Sequence, residues 1–296
     1  MPILNTYTTL AQVRQYLNMA SANNSDDDLL IRFMRRASNA IDTYTRRKFY
    51  PHVETRKYDL GDVQTVKLDK DLLSLTTLST QNGSCAVGST VLFLGTGQNW
   101  NRPPYDRIVI DSSSGSTLNY SGTPQKANHV LGIWGYHEDW GNAWVDTGTS
   151  LANAYTASAA YLSFAGAGSV GTGASDIYGE YPRISIGNLL KVDSEYFYVV
   201  GGATSGNGSA LVVPYANGTM GASHAAGASV YKFQPEGDIE WSAMRLTAWL
   251  YGQKDTPYQT KTANFIVGNL EIPTGVAVDV KDKIDRFVRR EFATFP

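Results

Sequence analysis

Apolar residues recur every three or four positions along the segment from Ser25 to Lys48. They are Leu30, Phe33, Met34, Ala37, Ile41 and Tyr44. This spacing places them on one face of an amphipathic helix, whose opposite face is polar and rich in arginine. We predict a capping box of Ser25 and Asp28 at its start, and Pro51 prevents its continuation. A helix with one apolar face has to bury that face against another element.

Three further segments have helical spacing, one before the long helix and two near the end of the sequence. They are Thr9–Asn18, Asp238–Lys254 and Val278–Phe292. Thr9 and Gln12 predict a capping box at the start of the first. We expect the helices of both chain ends to pack as one bundle. Its predicted core residues are Leu30, Phe33, Ala37, Ile41, Leu246 and Leu250.

The middle of the chain has short alternating runs between turn residues. The clearest are Ile184–Ile186, Leu189–Val192, Tyr196–Val200 and Ala210–Pro214. Short strands at such close spacing are typical of a small barrel or sandwich. The predicted fold is therefore α+β: a small helical bundle of residues 1–54 and 236–296, with an inserted, mostly antiparallel β domain at 55–235. The insertion divides into candidate modules at 55–146 and 176–235.

Composition narrows the functional classes. The net charge is −2, which gives no general reason to expect affinity for nucleic acid or membranes. The single cysteine, Cys85, excludes an internal disulfide. No signal-like start and no long apolar run are present, so we expect a soluble, unexported protein with no membrane partner. The residues 196–231 contain no Asp, Glu, Lys or Arg, which favours contact with a neighbouring subunit.

The sequence predicts no catalytic, cofactor-binding or metal site, and we expect a protein that is not an enzyme. The four histidines are scattered, without ligand spacing. The glycine-rich stretch Gly166–Gly173 lacks the lysine and following helix of a phosphate loop. The basic runs Arg46–Lys48 and Arg286–Arg290 could contact phosphates. They also complement the negative ends of helices and have acidic residues interleaved, which favours solvated or subunit-interface charge.

The helical ends resemble the head–tail connector (adaptor) proteins of tailed bacteriophages. The resemblance is carried by TTLAQVRQYLNM (Thr8–Met19), by the acidic-start helix at Asp26–Phe49 and by the return helix at Asp238–Thr256, followed by IDRFVRREF (Ile284–Phe292). The strand pieces LLSLTTLSTQNG, RIVID and GIWGYHEDW are similar to those that such proteins carry before the return helix.

Within the middle, Leu189–Tyr231 is similar to a small β module of phage structural proteins. The central motif of that module usually reads Arg-Gly-x-Asn-Gly-Thr, whereas this chain has Pro214-Tyr215-Ala216-Asn217-Gly218-Thr219. The arginine is missing, so a role for it does not transfer to this chain.

The resemblance implies a structural virion protein of the phage neck, made in the host cytoplasm. It would form a ring with copies of itself, a dodecamer in that family, below the capsid portal. Its further partners would be the portal protein and a stopper or tail-terminator protein, with DNA passing through the lumen without sequence-specific contact. Our hypothesis for the portal-binding surface comprises Phe287, Arg289, Arg290, Phe292 and Phe295.

Two alternatives stay open at this stage. A virion-associated β-rich module that binds glycans or a receptor could use the aromatic residues Trp134 and Trp140. A glycan hydrolase would need Glu138 or Asp139 to face a second carboxylate across a cleft, because adjacent loop residues cannot flank a bond from both sides.

Overall fold

The computed structural model of the chain describes residues 5–20, 24–81, 83–85, 91–95, 102–157, 159–166, 175, 181–202, 208–214, 216–254, 261–264, 268–271 and 278–289. Along the chain, two helices precede and two follow the strands of two antiparallel sheets. This confirms the predicted α+β class with a mostly antiparallel β insertion.

The two N-terminal helices are α1 (Leu10–Tyr16) and α2 (Asp27–Thr45). The capping box of Thr9 and Gln12 is present at α1. The capping box predicted for Ser25 and Asp28 is wrong, because the N-cap of α2 is Asp26, one residue later, and it makes no side-chain cap. The Asp26 carboxylate instead accepts a hydrogen bond from Lys254 at 2.7 Å, so a tertiary contact replaces the local one.

The C-terminal helices are α3 (Gly237–Gly252) and α4 (Val278–Ile284), and a 3-10 turn follows at Asp285–Phe287. The predicted last helix is thus shorter than its periodicity suggested, because the turn at Asp285 tightens and Val288 is extended. Within the part of the chain that is described, no helix has the length and apolarity needed to cross a membrane.

The first sheet has the strands β1 (His52–Tyr58), β2 (Thr65–Thr80), β3 (Gly83–Cys85), β4 (Val91–Gly95), β5 (Tyr105–Ile110) and β6 (Asn128–Trp134). Its order is β1-β6-β2-β5-β4, and β3 pairs with β2. The strand β2 changes partner at Leu72, which lies opposite both Tyr105 and Trp134. The sheet is therefore open and bent.

The second sheet has the strands β7 (Trp144–Ser150), β8 (Tyr161–Ser163), β9 (Leu189–Val192), β10 (Glu195–Gly202), β11 (Ser209–Val213) and β12 (Ser229–Phe233). Its order is β7-β12-β9-β10-β11-β8, with antiparallel neighbours throughout. Leu151 and Phe164, which directly follow the two outer strands, form an antiparallel bridge. The six strands therefore close into a barrel.

A separate hairpin joins β13 (Lys261–Asn264) and β14 (Gly268–Glu271). Asn264 pairs with Gly268 and Ala263 with Asn269, so the turn dipeptide Gly268-Asn269 belongs to the second strand.

The helices of both chain ends share a core with one face of the barrel. Ala37 and Ile41 of α2 lie in one buried cluster with Ala243 and Leu246 of α3, and Leu250 packs at its margin. Leu30 lies in a neighbouring cluster with Leu10 and Val13 of α1, while Phe33 is half-buried and outside the buried clusters. The barrel contributes Leu189, Tyr196 and Tyr198 to the shared core.

Candidate functional site

The structure places the residues that were predicted to bind the portal in different environments. Phe287 is 1% exposed and packs edge-on against Phe49 and Tyr136, so its assignment to a docking surface is corrected to a core position. The physical reason is that Phe287, in the 3-10 turn after α4, continues the spacing of Val280 and Ile284 and joins them in the same buried cluster. Arg290, Phe292 and Phe295 lie outside the described residues.

Arg289 takes part in a buried ion-pair network between the helices and the first sheet. Arg47 donates to Asp71 Oδ1 at 2.7 Å, and Arg289 Nη1 lies 3.3 Å from the same oxygen. Arg289 also donates from Nη2 to the Leu68 carbonyl at 2.9 Å. The Arg47 guanidinium lies over the Tyr136 ring, 4.2 Å from its centroid. The network thus ties the end of α2 and the C-terminal segment to β2.

Burial raises the pKa of Asp71, and the charges of Arg47 and Arg289 oppose this shift. The side chain of Asp71 is only 6% exposed. A carboxylate buried to this degree is stable in its charged form only with partners, and two guanidinium groups supply them. The role of these ion pairs is structural, because Arg47 and Arg289 both connect other segments to Asp71.

A second buried carboxyl group lies beside this network. Tyr7 donates its hydroxyl hydrogen bond to Asp42 and accepts one from the Phe49 backbone N–H at 3.0 Å. Burial raises the pKa of Asp42 to about 7, against the opposing effects of Tyr7 and Lys48. Asp42 is therefore partly protonated at neutral pH.

His52 lies on the other side of the same region. Burial lowers the pKa of His52 to about 4, and the charge of Lys48 adds to this effect. Its Nε2 lies 3.2 Å from Glu54 Oε2, while its buried Nδ1 has no hydrogen-bond partner among the described residues. His52 is therefore neutral at pH 7 and has one free ring nitrogen.

Asp42, His52 and Asp71 line a cleft of about 340 Å³ between the end of α2 and the first sheet. Its other charged lining residues are all basic: Arg46, Arg47, Lys48, Arg56 and Lys70. Since one acid is partly neutral and the other is paired, the cleft has an excess of positive charge. It is a candidate site for an anionic group.

A wider groove of about 1200 Å³ runs between β1 and the first half of β2. Its basic and acidic lining residues balance, and Arg56 bonds with both Glu54 and Asp69. The groove therefore has no net attraction for a charged ligand.

The aromatic residues considered for glycan binding lie mostly in the interior. Trp134 is fully buried and donates from Nε1 to the Glu54 carbonyl at 2.9 Å, so its face is not available to a sugar. Trp140 is half-buried and packs edge-on against Trp144. The alternating pattern of β6 turns Trp134 into the sheet core.

Glu138 and Asp139, the candidate hydrolase acids, are exposed and used locally. Glu138 accepts from the Tyr136 hydroxyl at 3.2 Å, and Asp139 accepts from Asn142 at 2.9 Å. Across the described residues, no group of three or more His, Cys, Asp or Glu side chains could hold a metal ion.

Two contacts of the barrel were not foreseen from the sequence. His224 lies 2.7 Å from Asp193 and 3.1 Å from Glu195, which is completely buried. Asn217 donates to the Pro51 carbonyl at 2.9 Å and so connects the barrel to the start of the first sheet. The partners are far apart in the chain, and only the Asn217-Gly218-Thr219 motif signalled a special backbone position.

Comparisons with protein-family models, curated proteins and solved structures found no match to this chain. The functional interpretation therefore depends on the described geometry and on the resemblance of the helical ends.

Proposed function

We propose that this chain is a structural protein of the phage neck. It would form an oligomeric ring that joins the portal to the tail or stopper and leaves a channel for DNA. The observation that carries the proposal is the common core of α2 and α3, in which Ala37 and Ile41 meet Ala243 and Leu246. The two segments with the connector resemblance thereby belong to one helical body.

The proposed portal contact is reduced to the residues after Arg289. Phe287 is in the core and Arg289 is held by Asp71, so these two residues anchor the segment and leave Arg290, Phe292 and Phe295 as the contact candidates. The backbone N–H of Arg289 donates to the Thr45 carbonyl at 2.9 Å, which also ties Arg289 to the end of α2.

The barrel supports a role in contacts between subunits. Its large exposed side chains include Tyr161 at 54% and Met220 at 87%. Both belong to a barrel region with few charges, and exposed apolar groups in such a setting favour association.

The test is deletion of Glu291–Pro296. We expect the truncated protein to fold and to form rings, as judged by circular dichroism and electron microscopy, but not to enter phage heads. A matched variant keeps the length and changes Arg290, Phe292 and Phe295 to Ala, which separates side-chain contact from chain length. Normal incorporation of both variants would refute the portal assignment, and a wild-type protein that stays monomeric would refute the ring.

A further inference from the structure

The outward face of α2 is basic along most of its length. Arg32, Arg36, Asn39 and Thr43 are all exposed, and so is Arg46 directly after the helix end. At 100° per residue, the four helical positions lie within about 40° of one line. The acid in this part of the helix, Asp42, is turned inward and bonded to Tyr7. From Arg32 to Arg46 the exposed face therefore presents positive and neutral groups only, and the exposed acid Asp28 lies one turn earlier, near the helix start.

Charge is strongly segregated in this protein. Residues 29–48 contain six basic residues and one acid, a net charge of +5, whereas the whole chain has −2, so the remainder has −7. A local excess of this size creates an attractive potential for polyanions despite the acidic average.

The cleft of about 340 Å³ continues the basic face beyond the end of the helix. Arg47 and Arg56 are used in ion pairs with Asp71 and Glu54. Lys48 and Lys70 form no ion pair with any described residue, and Lys70 is exposed. These two ammonium groups remain able to neutralise a phosphate.

We infer that the basic band, defined as Arg32, Arg36, Arg46, Lys48 and Lys70, contacts the phosphate backbone of duplex DNA. The inference rests on the proposed function, because a neck ring encloses DNA, and it names the face that lines the channel. From Arg32 to Arg46 the band extends about 21 Å along the helix axis. Contacts to phosphates position DNA without reading its sequence, which fits a channel through which any sequence passes.

The alternative partner of the basic band is a neighbouring copy of the chain, because the remainder of the molecule has a net negative charge. A complementary subunit surface would need an uninterrupted acidic face of similar length. The exposed acids of α4 are interleaved with Lys281 and Lys283, and the acids of α3, Asp238 and Glu240, are half-buried, so these helices do not offer one. The observations thus favour DNA.

The experiment compares two charge reversals of equal size in the full chain. Arg32→Glu with Arg36→Glu alters the band, and Arg107→Glu with Lys281→Glu alters exposed positions elsewhere. Binding to a short duplex DNA of random sequence is measured by fluorescence anisotropy over a series of salt concentrations. We expect the band variant to bind more weakly and to reduce the slope of log Kobs against log salt by about 2, with the control close to wild type.

Ring formation of both variants is followed by electron microscopy, and head incorporation tests the neck function separately. Intact rings with weakened DNA binding in the band variant alone would support the inference. Loss of rings in that variant with unchanged DNA binding would overturn it in favour of a subunit contact. Equal weakening by the control, or no DNA binding by wild-type protein, would also overturn it and would leave the neck assignment untouched.

Discussion

The barrel and the first sheet both have six antiparallel strands, but they join the helices by different physical means. The barrel closes on itself, fills its interior with residues such as Phe197 and Val199, and adds Tyr196 and Tyr198 from its outer face to the helical core. The first sheet is open, has its own core around Trp134, and meets the helices mainly at the Asp71 ion pairs, with Val53 of β1 at the margin of the helical core.

This difference indicates two kinds of stability within one chain. An apolar junction gains free energy from the area that it buries and does not depend on partner geometry. A buried ion pair mainly prevents the loss that unpaired charges would cause, so it is sensitive to any single substitution. The barrel should therefore unfold together with the helices, and the first sheet should depend on a few polar groups.

The largest expected effect is in the barrel interior. Phe197→Ala removes a fully buried ring, and it should lower the free energy of unfolding by about 3–5 kcal/mol. Denaturant unfolding measures the change. Tyr161→Ala in the same barrel is the control: its side chain is 54% exposed, so its effect should stay within about 0.5 kcal/mol. Equal effects of both substitutions would contradict a packed barrel core.

We call the ion pairs of Asp71 with Arg47 and Arg289 the ion-pair junction. A substitution there should lower stability nearly as much as Phe197→Ala. Asp71→Asn leaves Arg47 and Arg289 without their shared anion, and we expect a loss of about 2–3 kcal/mol in the free energy of unfolding. Asp69→Asn, two positions earlier on the same strand, removes the charge of a side chain that is 61% exposed and should cost less than about 1 kcal/mol. If Asp69→Asn costs as much as Asp71→Asn, the junction does not depend on the buried charge.

A glycine pair tests the contact between the barrel and β1. Gly218 has φ +80°, and a Cβ there would lie 2.2 Å from the Val53 carbonyl oxygen. Gly227 has φ +85° with open space around it. Gly218→Ala should destabilise the protein by about 2 kcal/mol and Gly227→Ala by about 1 kcal/mol, since both share the backbone strain. Thermal unfolding measures both losses of stability. Equal losses for Gly218→Ala and Gly227→Ala would contradict the contact.

The pH dependence concerns Asp42 and His52, the titrating groups beside the junction. Burial raises the pKa of Asp42 to about 7, so between pH 4 and 7 the folded protein holds a proton that the unfolded chain releases. This contribution to stability is present at low pH and is lost as the pH rises. Burial lowers the pKa of His52 to about 4, which gives the opposite slope between about pH 4 and 6.5.

Without one of these two groups, the change of stability with pH should be dominated by the other. Relative to wild type, Asp42→Asn should become more stable with rising pH across this window, by about 1 kcal/mol per pH unit, and His52→Gln should become less stable by a similar amount. Denaturant unfolding at several pH values measures both slopes. Variant curves parallel to that of wild type would rule out the shifted pKa values.

The helices and the strand content could be predicted from the sequence because both depend on local periodicity. Thr9 and Gln12 cap α1 as their spacing indicates, and the stripe of α2 places Ala37 and Ile41 in the interior. The start of α2 could not be placed correctly, since Asp26 is held by Tyr251 and Lys254 from the other end of the chain.

Closure of the barrel and the junction chemistry depend on long-range pairing, which periodicity does not encode. Leu151 and Phe164 lie in stretches without a clear strand pattern, yet their bridge closes the sheet. Arg289 belongs to a basic run that reads as surface charge, and only the approach of Asp71 from β2 shows its buried role. Phe287 stands next to the same basic run, and only its packing against Phe49 shows that it belongs to the core.

Hydrogen–deuterium exchange of the wild-type protein, read out by peptide mass spectrometry, tests the common core of chain ends and barrel most directly. Peptides from α2, α3, β9 and β10 should exchange by one shared opening, with the same free energy and the same response to denaturant. The contradicting result is an α3 that exchanges well before α2 and the barrel strands, which would mean that the chain ends do not form one cooperative body.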